Sequence, residues 1–323
     1  MTIQISIIGL GQIGASLGLA LREQKGQLLR VGNDIEHGIA RQAEKLGAVD
    51  RVDVNLPNTV RNADLVILAL PVDQLRETLE VIVPDLREGC VVMDTAPAKR
   101  TVMRWMEELL PQGRFYVGLT PVINPQRLAD GEYGLAAARA DLFKDGLMAV
   151  VAPENSEPGA LKMASDLSRL VGAGPIFADP LEVDGLMAAV DLLPQLMAAA
   201  LLGATVDQPG WREARKLAGQ AYHQATTAIQ HTANPVGLAA AAIYNKENSL
   251  RVINDAVQSL EAMRLAIEEE DHAALENYLK RLRAERDSWW NGRMSKEWQQ
   301  ADMPSVDMPD AGNVLGRLFG IGG

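Results

Sequence analysis

A glycine-rich turn near the start of the chain has the residue types and spacing that bind the phosphates of a dinucleotide. An apolar run, Ile3–Ile8, leads into a G-x-G-x-x-G sequence and then into an amphipathic helical pattern; the turn is Gly9, Leu10, Gly11, Gln12, Ile13 and Gly14. The three glycines would permit a tight turn, close approach of the backbone to a pyrophosphate, and packing of the helix on the strand. The helix N-terminus would offer unpaired N–H groups and a positive dipole end to the phosphates.

An acidic residue lies where such a fold needs one. Asp34 follows the second apolar run, Leu28–Asn33, and comes twenty residues after Gly14 (34 − 14 = 20). There it would accept hydrogen bonds from the ribose hydroxyls of the adenosine and repel a 2′-phosphate, with no cation at Ile35 or Glu36 to offset it. We therefore predict that NAD, rather than NADP, is the cofactor. The alternative is a glycine-rich turn in an α/β protein that binds nothing.

The surrounding pattern predicts the elements that position this turn. Helical patterns alternate with further apolar runs that predict buried parallel strands at Leu65–Leu70, Val91–Asp94, Phe115–Val117 and Leu147–Val151. Asp179-Pro180 then begins a chain that is helical to about Trp290, because Asp favours the N-cap and Pro the first helical position. We predict a Rossmann-type doubly wound α/β domain over 1–178, an all-α substrate and dimerisation domain over 179–295, and a loosely ordered tail over 296–323.

Composition excludes several classes of partner. A net charge of −11 argues against a nucleic-acid or anionic-membrane surface, which would need a basic face. No secretory signal and no uninterrupted apolar run of membrane-spanning length are expected. The single cysteine, Cys90, lies in an apolar run and is expected to be buried and inert; one cysteine forms no internal disulfide, which favours the cytoplasm. No Cys–His cluster has metal-ligand spacing, so we expect no metal.

The helical part predicts a homodimer. The stretch 181–203 is apolar on most of its faces and therefore has to be buried. Further along, apolar residues at roughly heptad spacing form a stripe of Leu250, Ile253, Val257 and Leu260. Together these surfaces exceed what one small helical domain can cover by itself.

Several segments, in this order and spacing, resemble the prephenate/arogenate dehydrogenase family over roughly residues 3–295. They are Ile8 to Leu17, Ala63 to Val72, Ala140-Asp141-Leu142-Phe143, Val183-Asp184 with Ala189 to Pro194, and Arg286-Asp287-Ser288-Trp289. The resemblance implies a substrate cleft between a Rossmann and a helical domain, and NAD-dependent oxidative decarboxylation of a cyclohexadienyl acid in tyrosine biosynthesis. It also implies that the proline turn Leu70, Pro71 and Val72 lies beneath the cofactor, and we add Thr95 to the cofactor residues.

The sequence departs from that family where the chemistry is done. Thr120, in Gly118-Leu119-Thr120-Pro121, stands where the family has the histidine that accepts the proton of the substrate hydroxyl. Pro97 replaces the serine that orients that histidine, and the substrate helix lacks both family histidines in Asp191-Leu192-Leu193-Pro194-Gln195. The arginine that clamps a carboxylate is missing near Thr227. Because a threonine hydroxyl stays protonated near pH 7, Thr120 cannot replace imidazole as a base. Activity on prephenate is therefore in doubt.

Other polar groups are candidates for the missing roles. His223 and His231 are eight residues apart on one predicted helix and could face the cleft, where one of them could act as the base. Asp191 shares a helix face with Gln195 and could line the pocket, or it could make a structural hydrogen bond. Lys99, and less strongly Arg127, could bind a substrate carboxylate or lie in solvent.

Three other functions stay open at this stage. One is a diverged dehydrogenase or reductase acting on another small substrate, with Asp191 or a helical histidine relaying the proton. Another is an NAD-binding paralogue that senses or regulates without turnover. A β-hydroxyacid dehydrogenase is the weakest alternative, because its catalytic lysine would have to be Lys216, the only lysine between Lys162 and Lys246, in a setting typical of a solvated helix start.

Overall fold

One eight-stranded sheet organises the first half of the molecule. The computed structural model describes residues 2–24, 27–230 and 234–295. The strands are β1 (Ile3–Ile8), β2 (Leu28–Asn33), β3 (Arg51–Val52), β4 (Leu65–Leu68), β5 (Val91–Asp94), β6 (Phe115–Pro121), β7 (Leu147–Val151) and β8 (Gly174–Phe177). Their spatial order is β3-β2-β1-β4-β5-β6-β7-β8. The predicted Rossmann-type α/β class, with a helical part after it, is confirmed.

All six predicted strands are present, and two more complete the sheet. β4 ends at Leu68, two residues before its predicted end, while β6 continues through Pro121. β3 has only two residues, and β8 begins with Gly174-Pro175, so neither shows the apolar run by which the other strands were predicted. Both additional strands extend the outer parts of the sheet.

The prediction that Leu147–Val151 is a parallel strand is wrong. β7 pairs with β6 antiparallel, with Thr120 opposite Ala149, whereas the other neighbours in the sheet pair in parallel. A parallel pair needs a crossover connection, usually a helix. Between β6 and β7 the chain forms only two short 3₁₀ turns, Pro125–Arg127 and Gly134–Ala137, and it returns in the opposite direction.

Helices cover both faces of the sheet. They are α1 (Gln12–Ala20), α2 (His37–Leu46), α3 (Leu56–Val60), α4 (Val72–Ile82), α5 (Lys99–Leu109) and α6 (Pro158–Leu170). β4 and β5 are buried along their whole length, as expected for strands with helices on both sides. The apolar residues of β1, α1 and α6 form a core on one face, and those of α4 and α5 form a second core on the other.

Seven further helices make up the second half of the described chain. They are α7 (Pro180–Met187), α8 (Leu193–Val206), α9 (Trp211–Leu217), α10 (Gln220–Thr227), α11 (Pro235–Tyr244), α12 (Lys246–Glu268) and α13 (His272–Ser295). The predicted Asp179 cap is present, with Oδ1 accepting from the N–H groups of Leu181 and Glu182 at 2.8 and 3.2 Å. A π-helical turn, Ala188–Leu192, joins α7 to α8. The predicted tail, 296–323, lies outside the described residues.

The expectation that 181–203 is buried is wrong for the single chain. The helical run Pro180–Val206 has 27 residues and a mean hydropathy of 1.7 in its most apolar 18-residue window, yet only 22% of that window is buried. Leu181, Leu186 and Val190 are each more than half exposed. By length and composition alone this run could cross a membrane, which the sequence pattern had not predicted. The stripe on α12 is exposed as well.

Candidate active site

The glycine turn is fitted to its neighbours at two of its three glycines. Gly9 has a φ of +88°, and a Cβ there would lie 2.3 Å from the carbonyl oxygen of Ala69. A Cβ at Gly14 would lie 1.9 Å from the carbonyl oxygen of Gly9, so α1 can pack this closely only on glycine. A Cβ at Gly11 would meet nothing within 4 Å. Gly11 therefore borders open space, which is what close approach of a pyrophosphate requires.

Asp34 is fixed by two backbone N–H groups. Its Oδ2 accepts from Leu10 at 2.7 Å and its Oδ1 from Glu36 at 2.9 Å. These contacts tie the carboxylate to the glycine turn on one side and to the loop before α2 on the other. The carboxylate lines a cavity of about 590 Å³ beside β1 and β2, where the adenosine half of a dinucleotide would lie.

A second cavity, of about 340 Å³, continues from the first toward the helical half. The two share a lining of Gly11, Ala69, Leu70, Pro71 and Gly134. On the sheet side the second cavity is bounded by the turn Thr95–Ala98 between β5 and α5, and on the helical side by the π-helical turn, α8 and α11. Ligands of open α/β sheets bind outside the carboxyl ends of the strands, which is where both cavities lie.

The predicted cofactor residues are at this cleft. Gly9, Gly11 and Asp34 line the larger cavity, and the smaller one includes Gln12, Ile13, Leu70, Pro71, Val72 and Thr95. Leu10 and Gly14 belong to the same turn but are buried, and they do not line either cavity. No side chain caps the N-terminus of α1, whose N-cap is Gly11. The open space at Gly11 and this uncapped helix fit a dinucleotide phosphate.

The smaller cavity carries little charge. Among the residues that the structure describes, its lining has one ionisable acid, Asp191, and no lysine, arginine or histidine. Its other polar side chains are Gln12, Thr95, Tyr133, Gln195 and Asn245. Asp191 thus lies where the pocket role was predicted. Gln195 donates from Nε2 to the carbonyl oxygen of Asp191 at 3.0 Å, so the two residues are linked by structure as well as spacing.

Lys99 does not lie in the cavity. Its ammonium is fully buried beneath it and donates to Asp94 Oδ1 at 2.8 Å, while the Tyr116 hydroxyl donates to Asp94 Oδ2 at 2.7 Å. Burial lowers the pKa of Lys99, and the Asp94 carboxylate opposes that shift. Burial, together with the charge of Asp94, raises the pKa of Tyr116. Since Asp94 engages the ammonium, the geometry gives Lys99 a structural place and none as a carboxylate ligand.

Thr120 lies near the end of β6 but is not among the residues that line either cavity. Its side chain is 5% exposed, and its hydroxyl has no hydrogen-bond partner within the described part of the chain. A buried hydroxyl without a partner is unusual in a folded protein. Thr120 therefore lies near the end of β6 without reaching either cavity.

The remaining predicted residues are elsewhere. His223 is exposed on α10 and does not line the cleft, and His231 lies outside the described residues. Arg127 donates to Asp141 at 2.7 Å, and this contact raises its pKa. Thr227, where the family arginine was expected, donates to the carbonyl oxygen of His223 at 2.6 Å. Among the described residues, His223, Arg127 and Thr227 do not line the smaller cavity.

Several residues at the cleft were missed from the sequence. Tyr133 belongs to an irregular loop, and Met187 and Asn245 come from helix ends, so periodicity gave no signal for them. Asp94 could have been found, because an acid that ends a buried apolar strand beside a cofactor turn is rarely in solvent. Within the described ranges, no group of three His, Cys, Asp or Glu side chains could hold a metal ion.

Comparison with known protein families gives two matches that together cover most of the chain. Residues 17–176 match the family model of the prephenate dehydrogenase nucleotide-binding domain, and residues 179–281 match that of the prephenate dehydrogenase dimerization domain. The first match begins at residue 17, within α1 and after the glycine turn, and the second includes the helices that line the smaller cavity. The chain belongs to the prephenate dehydrogenase family. The predicted resemblance is therefore confirmed, and with it a nucleotide-binding enzyme of the NAD-dependent dehydrogenase type.

Named relatives span nearly the whole chain. A prephenate dehydrogenase of Bacillus subtilis (strain 168) is 24% identical over 324 residues, covering 98% of this chain and 84% of the relative. One from Lactococcus lactis subsp. cremoris (strain MG1363) is 25% identical, covering 98% and 86%.

Solved structures share the fold. Prephenate dehydrogenase from A. aeolicus in complex with hydroxyphenyl propionate and NAD+ has a TM-score of 0.77 and 22% identity, over 89% of this chain and 98% of that one. A Synechocystis arogenate dehydrogenase has a TM-score of 0.67 and 22% identity, over 89% of this chain and 100% of that one.

Proposed function

We propose that this chain is an NAD-dependent dehydrogenase that carries out the family reaction on a cyclohexadienyl acid, at a rate limited by its altered site. The observation that carries the proposal is the continuous cleft in which the dinucleotide cavity opens onto a second cavity facing the helices. When bound, NAD would supply the hydride acceptor. Loss of the ring carboxylate would complete the aromatisation.

The chain's own residues have separable roles in this proposal. Gly9, Gly11 and Gly14 shape the turn that would receive the pyrophosphate, and Asp34 would accept from the adenosine ribose. The apolar walls of the smaller cavity would exclude water around the reacting carbon, with Leu70, Pro71 and Leu238 among them. Asp191 would accept the proton of the substrate hydroxyl, because it is the acid among the described residues that line this cavity.

The test follows NADH formation with prephenate and with arogenate as substrates. A panel of other small carboxylic acids and imines is then assayed in both directions. NADH formation with either cyclohexadienyl acid supports the proposal. Nucleotide binding without turnover of any compound would contradict it and would favour the non-catalytic NAD-binding paralogue.

One observation favours a second candidate, a dehydrogenase or reductase acting on another small substrate. Prephenate carries two carboxylates, whereas the described lining of the smaller cavity has an acid and no cation. A less anionic substrate would not need a cation in this lining. Turnover of a neutral or cationic member of the panel, with none of prephenate, would support this candidate.

We expect the chain to bind NAD more tightly than NADP. The Asp34 carboxylate would repel a 2′-phosphate, and Ile35 and Glu36 offer no cation nearby. Asp34→Ala should weaken NAD binding and narrow the difference between the two nucleotides, as measured by titration with each. Glu36→Ala, which removes a neighbouring acid of the same cavity, is the matched control and should leave the preference in place. Equal or tighter binding of NADP by the wild-type chain would contradict this prediction.

We also propose that the chain is a homodimer through its helical half. Three observations support this: the family model describes residues 179–281 as a dimerization domain, the helical run Pro180–Val206 is exposed, and so is the apolar stripe of α12. A membrane is a poorer partner for that run, because Asp184 and Gln195 within it are buried in the protein itself.

Light scattering at micromolar concentration is expected to give twice the chain mass of 34.9 kDa. Val257→Glu combined with Leu260→Glu should shift the protein toward monomer, because two charges on a buried apolar face are costly. Leu46→Glu, at an exposed apolar residue of α2, is the control and should leave the mass unchanged. A monomeric wild-type protein would refute the dimer.

We also propose a domain boundary at residue 178 and a cytoplasmic location for the protein.

A further inference from the structure

The floor of the smaller cavity is a turn that its own helix does not hold. Thr95, Ala96, Pro97 and Ala98 line the cavity and lead directly into α5. The N-cap of α5 is Ala98, which has no side chain to accept a hydrogen bond from the first helical N–H groups. Ala98 also has a φ of +68°, in the left-handed region that alanine rarely adopts. The turn is therefore stabilised neither by a local capping side chain nor by a favourable backbone conformation at Ala98.

The missing cap comes from the helical half of the molecule. Asp184, on α7, accepts from the N–H of Lys99 through Oδ1 at 2.5 Å and from the N–H of Arg100 through Oδ2 at 3.1 Å. The side chain is buried, with 3% of Asp184 exposed. Asn245, between α11 and α12, donates from Nδ2 to the carbonyl oxygen of Asp184 at 2.8 Å and so anchors that helix in turn.

A second carboxylate holds the same turn from the sheet side. Asp94, at the end of β5, accepts from the N–H of Ala96 at 2.9 Å and from the buried Lys99 ammonium at 2.8 Å. The turn is therefore clamped between an acid of the sheet and an acid of the helices. Only the second of these clamps depends on docking of the helical half. α5 and α11 also pack through Trp105 and Tyr244, whose rings are 5.2 Å apart.

We propose that Asp184 is a positioning residue that sets the nicotinamide end of the cleft from the helical half of the chain. By capping α5, it holds Thr95–Ala98 in the conformation that lines the cavity, and the adenosine end does not depend on it. The inference rests on the proposed function, because it assumes that the nicotinamide of a bound dinucleotide reaches this cavity. The inference predicts that loss of the cap weakens binding at the nicotinamide end of the cleft and leaves binding at the adenosine end unchanged.

The chain provides a matched control on the same helix. Asp179 also accepts from two backbone N–H groups, but these belong to α7 itself and are exposed. Asp179→Ala and Asp184→Ala therefore both remove two carboxylate–amide hydrogen bonds. If Asp184 served only stability, Asp184→Ala would weaken the binding of both ends of a dinucleotide alike.

The experiment uses the full-length chain and two probes, NADH and ADP-ribose, which share the adenosine end while only NADH has the nicotinamide. Asp184→Ala should weaken NADH binding by about tenfold and leave ADP-ribose binding within about twofold. Asp184→Asn retains one acceptor oxygen and should give an intermediate result. Hydrogen exchange at the amides of Lys99 and Arg100 should become faster in Asp184→Ala, and Asp179→Ala should change neither exchange there nor NADH binding.

These measurements do not require turnover, so they stay decisive if no substrate is oxidised. Where NADH formation is measurable, kcat should fall in Asp184→Ala more than KM rises, with partial rescue in Asp184→Asn. Equal weakening of NADH and ADP-ribose would overturn the proposal, and so would unchanged exchange at the two amides. If Asp184→Ala does not fold, Asp184→Asn alone decides the outcome by the same comparison.

Discussion

Prephenate is expected to be oxidised about 10²–10⁴-fold more slowly by this chain than by a relative with a histidine at the position of Thr120. General-base assistance by imidazole has this order of magnitude, and a threonine hydroxyl does not accept a proton near neutral pH. The absence of a cation from the described lining adds to the loss, because truncating one partner of a buried charged contact costs roughly 2–5 kcal/mol. Initial rates of NADH formation, at saturating NAD, measure the difference.

Substitutions at position 120 separate the base from the pocket. Thr120 itself lines neither cavity, so Thr120→His should raise the rate if the longer side chain reaches the smaller cavity and that cavity accommodates prephenate. Thr120→Asn, which has a similar polar shape but no titratable nitrogen, is the matched control and should not raise it. Ordinary turnover by the wild-type chain would show that another group serves as the base. Single substitutions of Asp191, His223 and His231 would then identify that base. No gain in rate from Thr120→His would indicate a pocket reshaped for a different compound.

Removing the Lys99 ammonium is expected to lower the free energy of unfolding by about 3–5 kcal/mol, the cost of breaking a fully buried ion pair. Lys99→Met would leave the Asp94 carboxylate buried without its counter-charge, since both side chains have no exposed surface. The loss should appear as a lower midpoint in urea or thermal unfolding. Thr95–Ala98 should also become less ordered, because Asp94 holds Ala96 as well.

An exposed lysine with an ion pair of similar length calibrates this result. Lys280 lies 2.6 Å from Glu276 on α13, with both side chains mostly in solvent, and Lys280→Met should cost only about 0.3–0.5 kcal/mol. Combining Lys99→Met with Asp94→Asn should cost less than the sum of the two single losses, because it removes both charges together. Strict additivity, or a Lys99→Met variant as stable as Lys280→Met, would show that the pair carries no coupling.

The cofactor half could be predicted from sequence because its requirements are local. A steric or electrostatic constraint within one strand, one turn and one helix determines the residue type at four positions, Gly9, Gly11, Gly14 and Asp34. The structure shows those constraints directly, in the positive φ of Gly9 and the contact between Gly14 and the carbonyl of Gly9. The buried strands were predictable for the same reason, since an apolar run marks burial on both faces.

The catalytic half was less predictable because it depends on contacts between distant segments. The sequence predicts Lys99 to be a solvated or ligand-binding cation. In the structure its ammonium is buried and donates to Asp94, which also accepts from Tyr116. Asp184 was visible as part of a family segment, but its cap on α5 joins residues 85 positions apart. The direction of β7 followed from the absence of a crossover helix, which periodicity alone did not reveal. The apolar run of α7 and α8 predicted burial, but most of it is exposed in the single chain.

The two hydrogen bonds made by Asp34 constrain how coenzyme preference could change during evolution or by design. An Asp34→Arg exchange would supply a cation for a 2′-phosphate, but it would also leave the buried N–H of Leu10 without its acceptor. An unsatisfied buried amide costs roughly 1–3 kcal/mol, a substantial part of a domain's net stability. A lineage moving toward NADP would therefore need a second, compensating substitution near Leu10 before or together with the first. The expected preference for NAD over NADP is therefore coupled to the conformation of the glycine turn.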